Sequence, residues 1–333
     1  MNKTSDRPHN KLEQMDFEDI SQEFAAVNAV GETHPVIPGP TNAGVVGPPD
    51  TFKVESPWQE NERAAPSEFL RSALFSPNRR ANRLIVGDQL ATNKRRTITV
   101  WGDSLTQFDL DLWMACVHLA RFGNPVRVTV PQLLKLACRS PGGTSEDRVH
   151  ESLSLLGCFQ LKLTVDPKPT KDGVCDSRCG YGYSGNLIEH LSWERNGGRR
   201  DIVNVVLKPS LAKLFRRDRR TIIPAIARSQ LGDRPLAQWM YAFFRTHRVV
   251  LPLPVPYYHR LSGASSSLSD FRSRVRKAMT LLTNEALLHS VSLRGEVLYV
   301  QRKKPLVEAV FTDAEWTVRS ATAKPIHAKG TTK

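Results

Sequence analysis

No stretch of this chain approaches the roughly 18 consecutive apolar residues that a membrane-spanning helix requires. Its first residues, MNKTSDRPHNKLEQ, also lack the apolar core of a signal peptide. Both absences lead to the expectation of a cytoplasmic protein with no membrane partner. Cysteine is scarce and odd in number, five in 333 residues. Cys116, Cys138 and Cys158 sit in apolar periodic segments, where a reduced thiol behaves as a small core hydrophobe, so no disulfide framework is expected. Cys175 and Cys179 in GVCDSRCGYGY are spaced C-x-x-x-C and would need two more ligands, such as His190, to hold zinc. No second pair stands at ligand spacing, so the expectation is a loop with two free thiols and no metal.

Catalytic signatures are missing as well. No G-x-x-x-x-G-K-[ST] loop occurs, and PGGTSEDR has the glycines without the lysine, which reads as a turn. A rolling-circle nuclease would need a His-hydrophobic-His metal motif beside a reactive tyrosine. His118, His150, His190, His247, His259 and His289 are scattered, and Tyr257 and Tyr258 in PYYHRL fall on a helix read as a packing helix. The chain is therefore expected not to be an enzyme and to need no cofactor.

What the sequence does have is positive charge, unevenly placed. The formal net charge is +14, yet residues 1–68 hold five Lys and Arg against twelve Asp and Glu, a net of −7, leaving +21 for the rest. A surplus of that size in the folded part points to a polyanionic partner, with nucleic acid preferred over a membrane surface. The acidic beginning is dense in Pro and Gly, as in THPVIPGPTNAGVVGPPD, and offers little apolar surface to bury. Residues 1–67 are thus expected to be a disordered acidic arm and linker.

Regular patterns begin near residue 84. RTITVWG and PVRVTV have strand character, and DLDLWMACVHLARFG places Leu110, Trp113, Val117 and Ala120 at helical spacing before Gly123. PQLLKLACRSPGGTSEDRVHESLSLLGCF reads as helix, turn, helix. Ser145 is the expected cap of the second helix, Glu146 and Asp147 suit its positive end, and Val149, Leu153 and Leu156 face inward. FQLKLTVD and NLIEHLSW alternate as paired strands do, and DIVNVVLKPSLAKLF leads into a basic linker containing RRDRR.

The order then repeats. Leu236, Trp239, Met240, Phe243 and Phe244 make a helix opened by Asp233 and Pro235, VPYYHRLSG makes a second, and SLSDFRSRVRKAMTLLTNEALLHSVSLRGEVLYVQRKK holds a third followed by a hairpin. At about 100° per residue, Leu268, Phe271, Val275, Met279, Leu282 and Ala286 fall on one side of that third helix. Ser269, Arg272, Ser273, Arg276, Lys277 and Thr280 are the candidate DNA contacts. Helix, turn, helix and hairpin is the plan of a winged helix, whose third helix fits the major groove while the hairpin follows the backbone. Arg294, Arg302, Lys303 and Lys304 are then backbone contacts from the wing. In the first copy the candidates are Thr144, Ser145 and Arg148, flanked by Glu146, Asp147 and Glu151.

The fold expected is α+β: a disordered arm (1–67), a first winged-helix domain (68–215), a basic linker (216–232), a second winged-helix domain (233–305) and a tail (306–333). RSALFSPNRR at 71–80, AQWMYAFFRTHRVVLPLPVPYYHRLSG, and the segment from SLSD to QRKK together resemble the TrfA family of plasmid replication initiators, over about residues 69–304. The resemblance implies monomers that bind direct repeats (iterons) in double-stranded origin DNA, promote opening of an adjacent A+T-rich segment and recruit the host initiator and replicative helicase. It also implies a homodimer as the inactive form and a sliding-clamp peptide of the kind Gln-Leu-x-Leu-Phe. The nearest match to that peptide is Gln14, Met15, Asp16 and Phe17, which lacks one apolar position of the pattern. The alternatives are a winged-helix repressor that binds an inverted operator as a dimer, and an RNA-contacting adaptor. The adaptor is disfavoured because no aromatic stacking platform is evident.

Overall fold

The computed structural model describes residues 51–78, 84–92, 95–140, 143–167, 180–194, 201–285, 287–302, 307–311 and 316–320. Contacts divide the chain at Pro49/Asp50, and every described residue falls in the second unit.

In chain order the first half contains β1 (Glu62–Pro66), α1 (Ser67–Leu70), β2 (Phe75–Ser76), β3 (Leu84–Gln89), β4 (Arg96–Asp103), β5 (Leu105–Thr106) and α2 (Gln107–Ala120). There follow β6 (Val126–Thr129), α3 (Val130–Leu136), α4 (Gly143–Cys158), β7 (Gln160–Val165), β8 (Tyr181–Asn186), β9 (His190–Glu194), β10 (Ile202–Val206) and a 3-10 helix (Pro209–Phe215). The second half contains β11 (Arg220–Pro224), α5 (Ala225–Leu231), α6 (Pro235–Arg245), β12 (Leu253–Pro254), α7 (Val255–Ser262), α8 (Leu268–Asn284), β13 (Leu288–Arg294) and β14 (Val297–Arg302). A last hairpin pairs β15 (Val307–Phe311) with β16 (Trp316–Ser320), inside the segment expected as a tail.

Helix α2 is the centre of the first half. Asp109 closes a capping box with Thr106, accepting from its backbone N–H and its hydroxyl at 2.7 Å each. The helix is apolar nearly all round, and a helix without a polar face must be surrounded. Trp113 is fully buried and contacts Phe69, Phe75 and Phe215. Val149, Leu153 and Leu156 of α4 are buried as their spacing predicts.

The same sheet order occurs twice. In the first half a short strand runs directly into a helix (β6 into α3) and pairs with the second strand of a hairpin, giving β6-β10-β9. In the second half β12 runs into α7 and the order is β12-β14-β13. A repeat is thus present in the strand pairing, but its first hairpin is β9–β10 and not the pair of strands that the sequence order suggests. The first half also carries an antiparallel sheet, β3-β4-β7-β8. This corrects the expected pairing of FQLKLTVD with NLIEHLSW: β7 lies between β4 and β8, while β9 pairs with β10. Both segments alternate, and alternation fixes a buried face but not a partner.

Two boundaries differ from those expected. Phe52, Val54 and Trp58, inside the arm expected over 1–67, are buried, and Glu62–Pro66 forms a strand against Arg220–Pro224. Three apolar side chains and one strand are too few to stand out among Pro, Gly and acidic neighbours. The segment 216–232, expected as a basic linker, holds β11 and α5, and its Arg228 is buried. Cys158 is exposed near the end of α4 rather than in the core, whereas Cys116 is buried.

Candidate nucleic-acid interface

Helix α8 begins at a serine cap, Ser267, whose Oγ accepts from the Asp270 N–H at 3.1 Å. Phe271, Val275, Met279 and Leu282 are buried, and this apolar stripe seats the helix against α6 and α7. Ser269, Ser273, Arg276, Lys277 and Thr280 are exposed on the other side. Among the described residues Arg276 and Lys277 form no ion pair. Ala286 lies outside the described residues.

Arg272 has a different position from the one its spacing suggests. Its guanidinium pairs with Glu296 at the tip of the β13–β14 hairpin. The Glu296 carbonyl also accepts from the Val255 N–H at 2.8 Å, so the hairpin tip is tied to the start of α7 and to the face of α8. Gly295, with φ +59, makes this turn in the left-handed region. The Thr280 hydroxyl donates to the Arg276 carbonyl at 3.1 Å, so its proton is engaged within the helix and is not free for a phosphate oxygen.

On the hairpin, Arg294 is exposed and lies 5.2 Å over the Tyr299 ring, an aromatic itself 38% exposed. The side chain of Arg302 and all of Lys303 and Lys304 lie outside the described residues, as do Gln14, Met15, Asp16, Phe17, Cys175 and Cys179. The side chains of Thr144 and Ser145 are also outside them. Helix α4 starts at Gly143, so Ser145 is in its first turn rather than at its cap. Arg148 is exposed and sits 4.3 Å over the Phe108 ring.

A cleft of about 870 Å³ brings Arg148 of α4 together with Arg274 of α8, Arg139 and Ser265, with Glu151 and Asp233 also on its wall. Arg274 was not among the sequence candidates, because it borders the apolar stripe instead of facing away from it. Arg234 was also missed; with Lys277 it edges a second cleft of about 430 Å³ between α6 and α8. Neither cleft includes Arg272, Arg276 or Arg294.

Beneath these surfaces lies a buried polar hub. Arg228 of α5 donates to Asp111 Oδ1 at 2.7 Å and to Gln107 Oε1 at 3.1 Å. Arg139 donates to Asp111 Oδ2 at 3.0 Å and to Gln238 Oε1 at 3.3 Å. Burial pushes the Arg228 guanidinium below its usual range, and the Asp111 charge opposes that shift. The hub joins α2 to α5 and α6, and hence the first half to the second.

Tyr258 is fully buried on α7 between Phe243 and Phe244, and Tyr257 is half-buried. Among the described residues no three His, Cys, Asp or Glu side chains cluster at metal-holding distance, and no helix is long and apolar enough to cross a membrane.

No family model matches the sequence. The plasmid replication initiator protein TrfA of Escherichia coli is 24% identical over 255 residues, covering 74% of this chain and 63% of TrfA. The chain thus spans under two thirds of that relative's length. Two crystal structures of domains 2 and 3 of RctB also align, one at 12% identity and a TM-score of 0.48 over 76% of this chain and 96% of RctB's, the other at 13% and 0.47 over 69% and 94%. The likeness drawn from the motif at 71–80 and the pattern at 236–304 thus has a counterpart along most of the sequence, which is similar to that of the TrfA plasmid replication initiator.

Proposed function

We propose that this chain is a non-enzymatic, sequence-specific DNA-binding protein that initiates plasmid replication, built from two winged-helix units. In the second unit α6, α7 and α8 are the three helices and β13–β14 is the wing; in the first, α2, α3 and α4 precede the hairpin β9–β10. The observation that carries the reading is the exposed Arg276–Lys277 face of α8, backed by a buried apolar stripe and flanked by a hairpin fixed to the same helix through Arg272 and Glu296. Such a helix has the width and charge to enter a major groove, and the hairpin then follows the phosphates. Kinship with TrfA supports direct repeats in origin DNA as the target, local duplex opening as the consequence, and the host initiator and replicative helicase as partners. A clamp contact through Gln14–Phe17 and an inactive homodimer belong to the same proposal.

The test is selection of duplexes by the full chain from a random-sequence pool. The selected duplex is then used in fluorescence-anisotropy titrations with one, two or three direct copies, an inverted pair, and a scrambled control. One monomer bound per direct copy is the expected result. Preference for the inverted pair, bound as a dimer, would establish the repressor reading instead. Equal affinity for all duplexes would leave the basic surface as a non-specific electrostatic footprint.

A further inference from the structure

The segment Arg71–Asn78, RSALFSPN, contacts both halves of the molecule along its whole length. Phe75 and Ser76 pair in parallel with Leu105 and Thr106, and Phe75 stacks on Trp113 of α2 with ring centroids 6.0 Å apart. Those contacts fix the segment to the first half. Toward the second half, Arg71 Nε donates to Thr246 Oγ1 at 2.9 Å, at the end of α6, and the Ser72 carbonyl accepts from Trp239 Nε1 at 3.1 Å. The Pro77 carbonyl accepts from Arg274 of α8 at 3.3 Å.

Asn78 completes the series. Its Nδ2 donates to the Gly263 carbonyl at 2.7 Å, and its Oδ1 accepts from the Ser265 N–H at 2.9 Å and the Ser265 hydroxyl at 3.2 Å. One planar amide therefore bridges a carbonyl and an N–H in the turn between α7 and α8, two residues before the cap of α8. Among side chains of this length only asparagine offers donor and acceptor together. Gly263 makes that turn with φ +63, and a Cβ placed on it would stand 2.7 Å from the Ala73 Cβ. The segment thus lies against the turn as well as bonding to it.

We propose that residues 71–78 are a strap that sets the pose of α8 relative to the first half, with Asn78 as the positioning residue. The proposal rests on α8 being the helix that reads DNA. A helix that reads base edges must be held to within roughly 0.5 Å and 10–20° of its productive geometry by the packing and hydrogen bonds around it. The strap supplies such contacts from the first half, so the orientation of α8 follows the first half's position on the duplex. Specific binding then depends on the strap, whereas attraction to phosphates does not.

The experiment uses the full chain, the selected duplex and its scrambled control over several salt concentrations, with a thermal melt of every variant. Asn78→Ala is expected to weaken binding to the selected duplex about tenfold, in keeping with the loss of hydrogen bonds that fix the turn, while scrambled-duplex affinity and salt slope stay unchanged. Asn78→Asp keeps the acceptor but sets a charge against the Gly263 carbonyl, and is expected to do the same. Gly263→Ala is expected to lose specificity by pushing on Ala73, and adding Ala73→Gly, which removes the atom struck, to recover the part due to that contact, the left-handed strain at 263 remaining. That pair carries the comparison even if Asn78→Ala fails to fold. Unchanged discrimination in folded Asn78→Ala and Gly263→Ala, with binding weakened in Arg276→Ala, overturns the strap and leaves the reading helix standing. Equal losses on both duplexes also overturn it, because loosened folding gives that result. Unchanged binding in Arg276→Ala and Lys277→Ala removes the reading helix, and the strap's role with it.

Discussion

Arg272 and Arg276 stand one turn apart on α8 and share a face by sequence, yet the structure gives them different work. Arg272 holds the hairpin through Glu296, while Arg276 points to solvent. Arg276→Ala is therefore expected to cost about 1–3 kcal/mol on the selected duplex and to relax one base position, and Lys277→Ala to lower the salt slope by about one without changing discrimination. Anisotropy titrations against single-base variants of the duplex separate the two. A second residue-scale expectation concerns His118, which is fully buried, accepts from Trp58 Nε1 at 3.1 Å and faces Glu60 through Nε2 at 3.0 Å. Burial lowers its pKa below 6.5, and the nearby Arg63 and Arg121 charges act in the same direction against the Glu60 contact. The folded chain thus binds fewer protons than the unfolded chain just below pH 6.5, so this contribution is complete above that pH and declines as pH falls toward the depressed value. Melting temperature should drop across that window, and His118→Gln should flatten the drop. At the hub, Arg228→Met leaves Asp111 with Arg139 alone and is expected to cost about 3 kcal/mol in denaturant unfolding.

At the level of elements, packing faces were readable and pairings were not. Helix α8 is legible because its apolar residues recur at helical spacing, and α6 because Trp239 and Phe243 follow the same rule. Trp239 is buried, stacks on Phe243 at 5.2 Å between centroids and donates to the strap, so Trp239→Ala should destabilise the second half by about 3–5 kcal/mol in a denaturant melt. Strands were harder. β7 alternates as expected, but its partners β4 and β8 are set by tertiary packing, and β11 and α5 are hidden in a basic stretch because Arg220 of β11 turns inward to backbone carbonyls and Arg228 of α5 to Asp111. Cationic residues read as solvated linker unless a partner distant in sequence is known.

Over the whole molecule, the charge imbalance sets an expectation that needs no residue assignment. A chain with +21 on residues 69–333 should show log affinity falling steeply with log salt on both selected and scrambled duplexes, about −5 or steeper if six or more phosphates are neutralised. A shallow slope on both would mean that the basic residues do not converge on one surface. The repeated sheet order, β6-β10-β9 and β12-β14-β13, is also a property of the whole. The sequence shows a repeated order of helices and strands but suggests β7 and β9 as the first pair, whereas β9 pairs with β10 and β7 with β4 and β8.

Sequence alone determined the identity and buried faces of the principal helices, the excess of positive charge and the likeness to TrfA, because periodicity and net charge are local or additive properties of the chain. Tertiary structure decided which cations are spent internally, as Arg228, Arg272 and Arg274 are, and which remain exposed, as Arg276 and Lys277 do. It also decided that residues 52–66 pack and that Asn78 meets Gly263 and Ser265 across more than 180 positions. Contacts between residues so far apart leave no periodic trace, since each depends on where two separately folded segments come to lie.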